Sequence, residues 1–286
     1  MIPSSQAQAE ADALGATLPP LLIAARRVAA AMAPGLHGRR RAGPGENFWQ
    51  YRPYLAGDGA ERIDWRQSAR ADGARHFVRE REWEAAQTVL LWRDGGPGMR
   101  WRSPLAREEK IARASLLLLA LAALLLRSGE RVRLAGEARA VRGQGGLDLL
   151  AVQMTQAAPE FPATDLPRHG TAVLIGDFLA PLAQTRALLG RFAAAGMRGQ
   201  LLAVRDPGEI ELPYDGRVRF EEPDGGETVL LADAARARAA YRARLAGHQA
   251  ALVSLAASAG FGWTLHRTDA PPETALLALH RALEAR

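Results

Sequence analysis

The sequence of 286 residues contains no cysteine. That absence excludes disulfides, thiolate zinc sites and cysteine nucleophiles, and it agrees with a reducing compartment. Lysine is almost as scarce: Lys110 is the one lysine among 37 basic residues, the rest being arginine. With abundant alanine, this reads as codon bias from a GC-rich genome. The net charge of +6 and the isoelectric point near 10.5 then say little about partners beyond favouring acidic ones. No recognisable nucleic-acid module accompanies the charge, so no nucleic-acid partner is expected, although a basic nucleic-acid binder stays among the alternatives. Met1 to Leu18 lacks the early positive charge and apolar stretch of a signal peptide. The most lipid-like segment, Ala114 to Leu126 between Arg113 and Arg127, is well short of the ~20 residues that span a bilayer. A buried helix, no direct membrane insertion and a cytoplasmic location are expected.

What is present has the balance of a globular protein, 48% hydrophobic and 24% charged. Leu21, Leu22, Ala25, Val28, Ala29 and Met32 recur at helical spacing, with Pro19 and Pro20 suited to a first turn and Pro34-Gly35 to a stop. Gly38 to Gly45 is a basic loop, either a solvated connector or a docking segment. Phe48 to Glu84 is punctuated by Pro53, Gly57-Asp58-Gly59 and Asp72-Gly73, which predicts short strands and turns, one strand at His76 to Glu80.

Beyond residue 86 the pattern changes. Thr88–Trp92, Thr171–Gly176 and Gln200–Val204 are apolar runs of the kind buried on both faces of a parallel sheet. Arg131–Ala135 and Trp263–His266 add shorter strands. Helices are predicted at Leu105–Arg127, Pro181–Ala195, Ala234–Ala259 and Pro272–Ala285. Val218–Phe220 and Thr228–Leu231 read as an inserted hairpin. Strands alternating with amphipathic helices imply an α/β fold, a mostly parallel sheet with helices on both faces.

Ligands of open parallel sheets bind at the carboxyl ends of the strands. Asp94, Asp177 and Asp206 stand at those ends. Carboxylates so placed suit a hard cation such as magnesium, and equally suit helix caps. Serine-elbow, zinc-protease and dinucleotide patterns are missing, and His37, His76, His169, His248, His266 and His280 are scattered singly. A non-enzymatic chain with no catalytic residues is expected.

Arg52-Pro53-Tyr54-Leu55-Ala56-Gly57-Asp58, Arg62-Ile63-Asp64-Trp65 and Ala69-Arg70 together resemble the signature of the bacterial domain-of-unknown-function 58 family. Its members are relatives of the von Willebrand factor A domain, usually encoded beside a MoxR-type AAA+ ATPase. Val78-Arg79-Glu80, Leu174 to Phe178, Asp206 to Glu209, Glu211 to Pro213, Arg238, Tyr241 and Arg267-Thr268-Asp269 are similar to it as well. Read bottom-up, Gly57-Asp58 is a turn and Ile63 and Trp65 bury one face. Arg52, Arg62, Arg66 and Arg70 then pair with Asp58, Asp64 and Glu80, fixing the segment or binding a partner.

The resemblance implies a von Willebrand factor A-like, Rossmann-like domain over residues 86–286 with a hairpin insertion near 208–232. Before it stands an N-terminal helix and strand-rich segment over 1–85. It also implies a metal-ion-dependent adhesion site of the form Asp-x-Ser-x-Ser. Here that motif reads Asp94-Gly95-Gly96-Pro97-Gly98, with both serines replaced. The loop expected to supply a threonine, Gly143 to Gly146, has no hydroxyl. Asp94 and Asp177 remain as weak metal ligands, so no cofactor is expected and magnesium is the exception to test. Asp94, Gly96, Gly98 and Asp177 are then a degenerate partner-binding loop. The implied function is that of an adaptor linking a MoxR-type ATPase to client proteins, with a magnesium-dependent adhesion module as the alternative.

Overall fold

The computed structural model describes residues 5–32, 47–54, 63–70, 76–82, 88–143, 145–156, 161, 166–222 and 225–284. They fall into two compact units, residues 1–36 with 87–286, and residues 37–86. The first helix, α1 (Ser5–Met32), therefore belongs with the sheet that follows rather than with the short segment between them. It does not begin at Pro19, as the proline pair predicts; both prolines lie inside it. The alanine-rich run before them has high helix propensity, which carries the helix further toward the N-terminus.

The smaller unit is a two-stranded antiparallel ribbon of β1 (Asn47–Pro53) and, beyond α2 (Trp65–Ser68), β2 (Phe77–Glu82). Ile63 adds a bridge to Val78, which is buried.

The larger unit is built on five parallel strands. These are β3 (Thr88–Arg93), β4 (Arg131–Leu134), β5 (Thr171–Gly176), β6 (Arg198–Arg205) and, after the separate hairpin of β7 (Val218–Glu221) and β8 (Thr228–Leu231), β9 (Phe261–Arg267). Their spatial order is β4-β3-β5-β6-β9, every neighbouring pair parallel. The chain lays β4 on one side of β3 and then returns to lay β5 on the other. Loops leaving β3 and β5 thus diverge over opposite faces, and the crevice between them is where this strand order binds ligands.

Helices cover both faces, as the alternating pattern predicts. In chain order they are α3 (Lys110–Arg127), α4 (Gly146–Gln156), α5 (Leu182–Ala194), α6 (Pro207–Glu211), α7 (Ala234–Ser258) and α8 (Pro272–Glu284). Val89, Leu91, Val132, Leu134, Val173, Ile175, Leu202 and Val204 point to one side, into a core with α1, α3, α4 and α8. Their neighbours Leu90, Trp92, Ala172, Leu174, Leu201 and Ala203 point to the other, against α5 and α7. The leucines of α3 from Leu117 to Leu126 are all buried, each contributing about 1.5–3 kcal/mol. That burial explains why a segment too short for a bilayer is so apolar. Helix α3 starts at Lys110 rather than Leu105; residues 105–109 remain turns that close the loop from β3.

Candidate functional site

The loop after β3 turns sharply at the sheet end. The Asp94 backbone N–H still donates to the Ile175 carbonyl at 2.7 Å, while its Oδ1 accepts from the Gly96 N–H at 2.8 Å. A short 3-10 turn, Pro97–Met99, follows and is pinned by the buried Met99. The glycines lie directly against the acidic groups. A β-carbon at Gly96 would stand 3.1 Å from Asp94 Oδ1, and one at Gly98 3.3 Å from Asp177 Oδ2. At Gly176 it would stand 3.0 Å from Asp94 Cβ. Asp94, Gly96, Gly98 and Asp177 therefore lie in one cluster.

Sequence reasoning did not place the cation at the centre of that cluster. The ammonium of Lys110, at the first turn of α3, donates to Asp177 Oδ2 at 2.8 Å and to Glu209 Oε1 of α6. Lys110 is only 1% exposed. Asp177 Oδ1 is also engaged, accepting from the Leu179 N–H at 3.0 Å. Burial pushes the Asp94 carboxyl above its usual range; the Gly96 hydrogen bond opposes this, the nearby Asp177 charge adds to it, and Lys110 opposes it. Glu209 is likewise raised by burial, against the pull of Lys110.

Asp206, the other strand-end acid, is a structural tie and fully buried. Its Oδ1 accepts from Gly208 N–H at 2.7 Å and its Oδ2 from Ser103 N–H at 2.9 Å. The first bond caps α6, with Glu209 Oε2 accepting in return from the Asp206 N–H. The second staples the β3–α3 loop to α6. Of the two roles left open for this aspartate, capping is the one it fills.

Helix α6 carries Glu209 and is braced from behind. Tyr241 O–H donates to the Glu209 carbonyl at 2.6 Å. Arg238 donates to the carbonyls of Leu212 and Tyr214 and to the Asp215 carboxylate. Arg242 reaches the Glu211 carbonyl, and Arg267 links the Glu211 and Asp269 carboxylates. The residues singled out near the C-terminus thus hold the segment that presents Glu209. Arg205, at the end of β6, is 2% exposed; burial lowers its guanidinium pKa, and the Glu209 and Asp177 charges oppose that.

The signature residues belong to the smaller unit. Arg52 lies in β1 opposite Val78. Tyr54 donates its N–H to the His76 carbonyl at 2.8 Å. Asp64 caps α2, its Oδ1 accepting from the Gln67 N–H at 3.0 Å. Arg70 is exposed at the end of that turn. Gly57, Asp58 and Arg62 lie outside the described residues, as do the basic loop at Gly38–Gly45 and Gln144. Trp65 corrects the expectation of a buried face: it is 61% exposed, its ring edge-on to His76 at 5.4 Å. Helix α2 is a single turn, too short to present an apolar face, and the ring rests against His76 instead.

A magnesium ion demands near-octahedral oxygen ligands at about 2.0–2.1 Å. The donors present do not fit it. Positions 96 and 98 carry no hydroxyl, both Asp177 oxygens are engaged, and an ammonium already lies on Asp177 Oδ2. Among the described residues, no group of at least 3 His, Asp or Glu side chains is placed to hold a metal ion. No helix among them is long and apolar enough to cross a membrane.

Comparison with known proteins gives relatives over most of the chain. The uncharacterized protein Rv1480 of Mycobacterium tuberculosis is 29% identical over 237 residues, 71% of either chain. A shorter match, to the uncharacterized protein MAV169 of Mycobacterium avium, is 40% identical over 88 residues, 28% of this chain and 50% of that one. Among solved structures, the conserved hypothetical protein BatB of Bacteroides thetaiotaomicron aligns at a TM-score of 0.42 and 13% identity, over 70% of this chain and 98% of its own. An aerotolerance-related membrane protein from Bacteroides fragilis aligns at 0.42 and 14%, over 70% and 100%. The family model described as "Protein of unknown function DUF58" matches residues 50–251, which takes in most of the ribbon, the sheet-end cluster and the α6 residues with Arg238, Tyr241 and Arg242 behind them. The chain belongs to the DUF58 family.

Proposed function

We propose that this chain is a non-enzymatic adaptor that works beside a MoxR-type AAA+ ATPase in protein maturation or complex assembly. Its contact surface is the sheet end around Asp94, Gly96, Gly98 and Asp177, a degenerate form of a metal-dependent adhesion site. The ATPase supplies the nucleotide chemistry, and the adaptor presents a surface to it or to a client. That assignment locates the protein in the cytoplasm, with the ATPase.

The observation that carries this reading is what surrounds the carboxylates. Lys110, Asp177 and Glu209 are bound to one another in the crevice, while the rim exposes Leu105 and Leu179 together with Arg100, Arg102 and Arg107. Exposed leucines flanked by arginines suit an acidic protein surface with apolar anchors, since such anchors supply most of an interface's binding energy. Rim arginines steer the encounter.

Co-precipitation with a MoxR-type AAA+ ATPase from the same organism tests the proposal, run without nucleotide, with ADP and with a non-hydrolysable ATP analogue. Association in at least one state, weakened by Leu179→Glu, is expected. Absence of association in every state would count against the adaptor reading.

A further inference from the structure

We propose that Lys110 is a resident counter-ion: its ammonium takes the position a divalent cation would hold between the Asp177 and Glu209 carboxylates, so the sheet end is assembled without metal. This rests on the adaptor reading only for its last consequence, that partner capture is constitutive and does not respond to divalent ions.

Three independent observations meet at this residue. The first is geometric. Lys110 bridges Asp177 on the β5 end and Glu209 on α6. A single ammonium therefore serves carboxylates from separate loops, the task of a metal in a site of this layout. The second is compositional. In a chain where every other basic residue is arginine, the one lysine is buried at this point. A guanidinium is a planar fork, whereas an ammonium is a compact point charge that fits between two carboxylates approaching from different sides. The third is the ligand set. Gly96 and Gly98 offer no hydroxyl and crowd the carboxylates with bare backbone. The cluster has lost the groups that complete a metal shell and gained a fixed charge that repels a metal.

Exchange of a mobile cation for a tethered one changes what the site can sense. A metal site empties when the ion is scarce; an ammonium on α3 does not leave. Its position is further locked because Asp206 ties the loop before α3 to α6, through Ser103 N–H and Gly208 N–H.

The test uses the isolated full chain and Mn2+ as probe, so it does not depend on any partner. Free Mn2+ is followed by electron paramagnetic resonance, and thermal unfolding is recorded with and without the ion. The native chain is expected to leave free Mn2+ undepleted at millimolar concentration and to show no shift in Tm. Lys110→Ser, which removes the repelling charge and supplies beside Asp177 and Glu209 the hydroxyl that positions 96 and 98 lack, is expected to deplete free Mn2+ at millimolar concentration and to gain Tm on its addition. Both effects should disappear in Lys110→Ser/Asp177→Asn. Stoichiometric Mn2+ binding by the native chain that is lost in Asp177→Asn overturns the proposal. A folded Lys110→Ser that ignores Mn2+ overturns it equally. Should Lys110→Ser fail to fold without metal, the native-chain titration still decides.

Discussion

Asp94 keeps a carboxylate at the sheet end although burial works against its charge. A group whose pKa is higher in the folded chain than in the unfolded one favours folding most below its ordinary value, near 3.8. That contribution is lost as pH rises through the folded value. Asp94→Asn retains the oxygen that accepts from Gly96 and removes the charge. It is expected to raise Tm at pH 7, with the gain shrinking as pH falls toward 4, in a pair of thermal melts across that range. His266 works in the opposite sense on the acidic side. Burial first, and Arg113 second, lower its pKa from 6.5 to about 4, against the nearby Asp269. Its Nε2 lies 3.1 Å from Arg113 Nη1. The neutral ring therefore contributes its full stability above pH 6.5, and that contribution is lost between 6.5 and about 4. His266→Gln is expected to flatten the fall in Tm across this window. Asp94 and Asp177 are readable as strand-end acids from chain order alone. Lys110 is visible in the sequence only as an oddity of composition, because its partners lie 67 and 99 residues away and only the closed sheet brings them together.

At the scale of elements, the strands that build the site are the most legible part of the chain. Continuous apolar runs such as Thr171–Gly176 are buried from both sides, and nothing but a central parallel strand fits them. Helix ends are less legible: α1 continues through Pro19 and Pro20, and α3 starts later than its apolar content implies. Helix α6 is missed altogether because five residues carry no helical period. Its sign in the sequence is local, the capping pair Asp206 and Glu209 around Pro207. This short element presents Glu209, and its fit against the β3–α3 loop is close. A β-carbon on Gly208 would lie 2.6 Å from Ser103 Cβ. Gly208→Ala is therefore expected to cost about 1–3 kcal/mol, read from urea unfolding. Tyr241→Phe removes the hydroxyl that donates to the Glu209 carbonyl and is expected to cost about 0.5–1.5 kcal/mol by the same measurement.

The whole molecule separates its tasks between its two units. Most signature residues lie in the ribbon unit, where Asp64 caps a turn and Tyr54 extends the strand pairing; the acidic cluster lies at the switch point of the sheet unit. A sequence reading groups α1 with the ribbon because the two are neighbours along the chain. Its Ala25, Val28 and Ala29 instead complete the core beneath α3, a partnership that no local pattern encodes. If the chain is the adaptor proposed above, the sheet end around Asp94 and Asp177 is the surface that meets the ATPase or its client. Hydrogen–deuterium exchange of this chain, alone and mixed with a MoxR-type AAA+ ATPase from the same organism, is the decisive measurement. Protection concentrated in residues 94–105 and 177–181 in at least one nucleotide state is the predicted result. Firm association with those segments unchanged, and protection confined to other surfaces, would contradict it.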